Sequence, residues 1–367
     1  MRHRFLTSLS ALAVVMVAFW LVTVTVAGQA PTAVAKAAKA KPAAKPWTPP
    51  RTPWGDPDLQ GIYNNATSTP LQRPNQFDKP VLSEEEADTY QEQLREKINT
   101  DKTPRDQVGN YNELWFDQKR KELTGDKRTS LIVDPPDGRI PPRVTVTPEQ
   151  QKQTDATIAA NQRFYAGIPN SWLDLEPAIR CIIRTDRPPY LGIIYNNTEQ
   201  IFQAPGYVAI AAEMIHSSRI IPLDGRPHLG KDLKQWLGDP RGHWEGNTLV
   251  VETTNVRKEG TYGYAEGGAL GEQTGANPET YKITERFTRV DANTLQYEFT
   301  ISDPQTWTKP WTAMVPWKVM DADYQLYEYA CHEDNYDIVH FLSRGRLREK
   351  AGETDIRKAA KEAGYDR

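Results

Sequence analysis

From Pro189 onward the chain is a succession of short apolar stretches separated by turn residues, and this constrains the fold more than any other feature. The stretches are "YLGIIY", "EQIFQ", "GYVAIAAEMI", "SRIIPL", "NTLVVETT", "YKITERFTRV", "NTLQYEFTI", "WTAMVPWKVM" and "QLYEYAC". Short strands at this spacing make an antiparallel meander. About nine of them leave costly edges unless the sheet curves on itself or closes into a barrel. The fold class expected is mainly β, a meander closed or strongly curved into a barrel over 189–345.

Residues 47–188 read differently. Proline-rich "WTPPRTPWGDPDLQG" is extended or turn-like, because proline restricts itself and the residue before it. Helices are expected from Ser83 to about Asn99, where "SEEE" forms a capping box with Glu86, and from Thr147, with Pro148 in the first turn and Gln150 completing a box. This region is expected to be an irregular, partly helical wrap on the barrel. A C-terminal helix is expected within 346–367, from about Thr354 to Ala363.

The first 35 residues read as an export leader. "MRHR" is a basic start, Phe5 to Gly28 is an almost unbroken apolar run, and "AVA" at Ala33–Ala35 or "GQA" ending at Ala30 suits a signal peptidase. About 20 apolar residues also span a bilayer, so an uncleaved membrane anchor is the alternative. Residues 36–46, "KAAKAKPAAKP", are a tether with no apolar face. The formal net charge is −3, and loss of Arg2 and Arg4 with the leader makes it −5, which argues against a nucleic-acid partner. In an exported chain the two cysteines, Cys181 and Cys331, read as a disulfide rather than as a thiol nucleophile beside His332. Such a bridge closes a long loop and contributes roughly 4–5 kcal/mol in the chain-entropy model.

Strand parity sorts the candidate chemistry, since alternate side chains face opposite sides. In "NTLQYEFTI", Leu295, Tyr297, Phe299 and Ile301 share the inner face; in its twin "NTLVVETT", Leu249, Val251 and Thr253 do. Glu252 and Glu298 are therefore solvated. Glu285 shares its face with Tyr281, Ile283 and Phe287, which makes it a carboxylate among apolar neighbours. It reads either as a pocket acid or base, or as one half of an ion pair with Arg289 or a more distant arginine. In "YQLYEYACHE", Glu328 and His332 point inward if the cysteine face packs outward. His243, in "RGHWEGNTLVVETT", stands at a strand end, with Trp244 read as core and Glu245 as turn chemistry. Five histidines outside the leader, His216, His228, His243, His332 and His340, all fall in the strand-rich region. A divalent metal held by three of them is an alternative to surface or acid–base roles, although no metal-motif spacing is present. Otherwise no cofactor is expected. The six glycines between Val256 and Thr280 read as a binding loop or a plain insertion, and not as a phosphate loop. "NAT" at Asn65 and "NNT" at Asn196 are glycosylation sequons by pattern only.

The blocks "SLIVDPPDGRIPP", "RIIPLDGRPH", "GDPRGHWEGNTLVVETTN", "ERFTRVDANTLQYEFTISDPQTWTKPWTA" and "YEYACHEDNY" resemble a family of exported proteins abundant in soil bacteria that carries no established reaction. The resemblance covers most of the chain after the leader and implies export and a shared fold; it carries over no catalytic residues. The alternation in "WEGNTLVVET" resembles lipocalin-like barrels at the level of fold. Two functional expectations follow. In the first, an aromatic interior including Tyr297 and Trp317 binds a small sugar-like or aromatic molecule, with Arg139 and Arg226 of two DGR turns and Arg289 as polar anchors. His332, Glu285, Glu328 and His243 then do acid–base work of a hydrolase, hydro-lyase or isomerase. In the second, the protein is a non-catalytic binding or envelope protein, Glu285 is salt-bridged, and no cavity adjoins His332.

Overall fold

A computed structural model of the chain describes residues 47–98, 117, 122–145, 147–149, 152, 168–193, 195–257, 277 and 279–353. In chain order the elements are β1 (Gly61–Asn64), α1 (Glu84–Ile98), β2 (Ile132–Asp134), β3 (Thr198–Ala204), β4 (Tyr207–Ala212), β5 (Ser218–Pro222), β6 (Asp239–Glu245), β7 (Thr248–Thr254), β8 (Lys282–Asp291), β9 (Thr294–Ser302), β10 (Trp311–Val319) and α2 (Asp337–Lys350). The strands form one antiparallel sheet in the order β5-β4-β3-β1-β10-β9-β8-β7-β6, with β2 also paired to β10. The fold is a nearly closed antiparallel β-barrel.

Two hairpin-connected runs, β3–β5 and β6–β10, are joined through β1 rather than forming one continuous meander. β1 and β2 lie in succession along one edge of β10: Ile132 pairs with Ala313 near its start, and Tyr63 with Val319 at its end. The proline-rich region thus contributes two strands to the sheet as well as covering it. The terminal strands β5 and β6 meet at a seam. A Cβ on Gly242 of β6 would stand 2.8 Å from the Ile221 side chain of β5 and 2.6 Å from that of Leu223, so glycine is what lets the two approach. At one end, Arg51–Gln60 closes the barrel: Gln203 accepts from Leu59 N at 2.7 Å and donates to Pro57 O at 3.1 Å.

The inner faces follow parity. Leu295, Tyr297, Phe299 and Ile301 of β9 are completely buried, as are Val251, Ile283, Glu285 and Phe287 on β7 and β8. The interior is filled by rings in mutual contact, with Tyr297 and Trp317 centroids 5.0 Å apart and Tyr190 and Trp317 5.5 Å apart. In a barrel of this size, inward side chains can fill the interior as a core. α1 follows its capping box, with Ser83 N donating to Glu86 at 2.8 Å, and packs Ala87 and Tyr90 against Leu82.

Two expected strands are absent. "YLGIIY" is apolar because it plugs a barrel end: Tyr190, Leu191 and Ile193 are buried, and Ile193 N donates to the Asn197 side chain instead of to a ladder. "QLYEYAC" runs over the outside, where Tyr329 and Cys331 pack on Ile193, Met214 and Ile215. Conversely β6, "DPRGHWE", has poor strand propensity and is tolerated because a terminal strand accepts Pro240. Cys181 and Cys331 are disulfide-bonded, tying the plug segment to this outer strap. The leader, the glycine-rich stretch 258–276, most of the helix expected from Thr147 and the one expected from Thr354 lie outside the described residues. Among the described residues no helix is long and apolar enough to cross a membrane.

Candidate functional site

Glu285 lies inside the barrel, directly opposite Val251 on β7 and Phe299 on β9. Its partner is Arg219 of β5. The guanidinium donates from Nη1 to Oε1 at 3.0 Å and from Nη2 to Oε2 at 2.5 Å, and Nη2 also donates to Thr253 Oγ1. The Tyr297 hydroxyl donates to Oε1 at 3.0 Å. Burial opposes the Arg219 charge, but the Glu285 carboxylate more than offsets it and the guanidinium pKa is raised. Tyr297 is pushed well above its ordinary value by burial and then by the Glu285 charge. A fully buried bidentate pair of this kind is an internal tie across the seam.

The other sequence-predicted residues do not gather around it, apart from Tyr297 and Trp317, which belong to the packed core. Glu328 and His332 are exposed on the outer strap, because that segment is not a strand and parity does not apply to it. His243 is exposed on the outer face of β6, 3.2 Å from Glu245, which in turn accepts from Arg286 at 2.8 Å. Arg226 is held at the surface by Asp224 and Tyr207, and Arg139 by Asn75. Arg289 donates to the carbonyls of Asp58 and Ala292. The histidines do not converge: His216 contacts Tyr329 O, His228 stands between Asp239 and Glu252, and His340 stacks on Tyr336. Among the described residues no group of three or more His, Cys, Asp or Glu is arranged to hold a metal ion.

Two features were missed. The first is a buried carboxyl, Glu199, on the inner face of β3 together with Ile201. Asn65 Nδ2 donates to its Oε1 at 2.8 Å, while Oε2 has no hydrogen-bond partner. Burial, then the carboxylates of Glu213 and Asp117, raise its pKa well above the usual range. The signal was present: "EQIFQ" puts Glu199, Ile201 and Gln203 on one parity, as "YKITERF" does for Glu285.

The second is a cleft of about 370 Å³ at the barrel end where β7 and β9 finish and β8 begins. Its walls carry Lys231, Lys234, Lys282 and the carboxylate of Glu279, with the neutral polar side chains of Thr254, Asn255, Thr280 and Ser302. Asn255, at φ 56°, is the post on which the lysine loop hangs, donating to Gly230 O at 2.8 Å and Leu233 O at 3.2 Å. Lys234 lies 3.3 Å from Glu279 and Lys282 3.0 Å from Glu252, while Lys231 is exposed. Lys231 and Lys234 share one loop, and only the fold brings Lys282 of β8 to them. Compared with protein-family models, curated proteins and solved structures, the chain matches none.

Proposed function

We propose that the chain is an exported, non-catalytic binding protein whose filled barrel is a scaffold, and that a small anionic molecule binds in the lysine-walled cleft at its rim. The observation that carries this reading is the cleft itself: three ammonium groups against the carboxylate of Glu279, with the neutral polar side chains of Thr254, Asn255, Thr280 and Ser302, around about 370 Å³, a volume at the lower end for small-molecule sites. The locked Arg219–Glu285 pair supports it from the other side, since a carboxylate with both oxygens engaged has little freedom to act as an acid or base. Export is supported by the basic and apolar leader and by the disulfide, which persists in an oxidising compartment. The ligand expected is a compact carboxylate, sulfate or phosphate ester on a ring of sugar or aromatic size. A thermal-shift screen of such anions against their neutral analogues tests this. Stabilisation by anions only, lost in Lys231→Glu, is the expected result; preference for neutral compounds contradicts it.

A further inference from the structure

Glu199 is 3% exposed, and among the described residues the groups around it supply no counter-charge. Asn65, 2% exposed, gives it one amide hydrogen bond, and Asn65 Oδ1 is itself without a partner. Glu213 follows β4 and is buried, accepting from the Tyr324 hydroxyl at 3.4 Å. Asp117 accepts from Asn64 at 2.6 Å and Asn197 at 3.4 Å. From the plug, Tyr190 adds a neutral hydroxyl. Arg219, the buried cation of β5, is committed to Glu285, and Lys318 of β10 turns to Thr294. A buried carboxylate with one amide hydrogen bond and like charges beside it is stabilised by taking up a proton.

The same place is where the barrel end is fastened. Asn197 receives Ile193 N at 2.6 Å and donates to Ile193 O at 3.0 Å, clipping the plug to the start of β3. Gly192 presses on Asn65 so closely that a Cβ would lie 2.8 Å from Oδ1. Glu213 N donates to Thr198 O at 2.9 Å, and the turn after it holds Ile215 at φ 59° and His216 at φ 53°. A β-branched residue in the left-handed region is unfavourable and persists only while its surroundings enforce it. We propose that Glu199 is a pH-operated latch: as a neutral carboxylic acid it keeps the plug and the Glu213–Ser217 turn fastened, and when it ionises beside Glu213 it draws in water and loosens both. Nothing in this depends on the rim cleft or its ligand.

Infrared difference spectroscopy and amide hydrogen exchange test the latch on the full chain. The wild type retains a carboxylic-acid carbonyl band above the ordinary glutamate range of about pH 4.3, and Glu199→Gln lacks it. Protection of the amides of residues 191–193, 195–197 and 213–217, corrected for intrinsic exchange, falls about tenfold per pH unit once Glu199 ionises. In Glu199→Gln, which keeps the shape of the neutral acid, protection is independent of pH. The latch is overturned if the wild type has no such band, if protection does not change with pH, or if the variant follows the wild type. Loss of the band on adding calcium chloride overturns it too, in favour of a cation site. The pH dependence of wild-type exchange at the plug and the Glu213–Ser217 turn decides the matter even where the variant fails to fold.

Discussion

Glu285 and Glu199 are both glutamates on the apolar parity of a strand, yet only Glu285 meets an arginine. Removing one member of the Arg219–Glu285 pair leaves a buried, uncompensated charge. Arg219→Met is expected to cost about 3–5 kcal/mol in urea unfolding, and Arg219→Met/Glu285→Met to recover most of it. Equal losses in the single and double variants would show that the pair is not the source of the effect. Glu199 behaves oppositely. Its folded pKa lies above the unfolded one, so its contribution is fully present below about pH 4.3 and is lost as pH rises through the folded value. Glu199→Gln therefore raises the melting temperature at neutral pH, and the gain vanishes toward about pH 4. Sequence parity placed Glu285 correctly, and the same rule applied to "EQIFQ" finds the missed Glu199; it failed for Glu328 and His332, where the segment is not a strand. Choosing an ion pair over a catalytic acid needed the partner on β5, which no local pattern supplies.

At the scale of elements, the strands that pattern identified are those that alternate and pair with sequence neighbours: β7 to β10 and β3 to β5. β1 and β2 are short, and β6 is built of proline, arginine and glycine, so each owes its conformation to the neighbour it pairs with rather than to propensity. The plug "YLGIIY" has a strand's composition and no ladder, because burial and strand formation leave the same apolar mark. The seam gives the sharpest element-level expectation. Gly242→Val forces side-chain carbon into Ile221 and Leu223 and is expected to cost about 1–3 kcal/mol in thermal unfolding. Adding Leu223→Ala restores part of that loss if overpacking is its cause.

For the whole molecule, the aromatic packing inside the barrel is what moves the proposed binding site from the interior to the rim. The disulfide fastens one barrel end from outside. Cys181→Ser/Cys331→Ser is expected to lose about 2–5 kcal/mol, and more of the loss should appear in exchange of the plug than in the β8–β9 hairpin. The rim cleft was not legible beforehand, since only the fold brings Lys282 and Ser302 to Lys231 and Lys234. The most direct measurement is calorimetric titration of the best anion from the screen into three forms of the protein. Affinity unchanged in Arg219→Met/Glu285→Met and at least about tenfold weaker in Lys231→Glu/Lys282→Gln, a loss of about 1.4 kcal/mol, is the outcome predicted. Binding that survives the lysine changes and disappears with the interior pair would contradict the account.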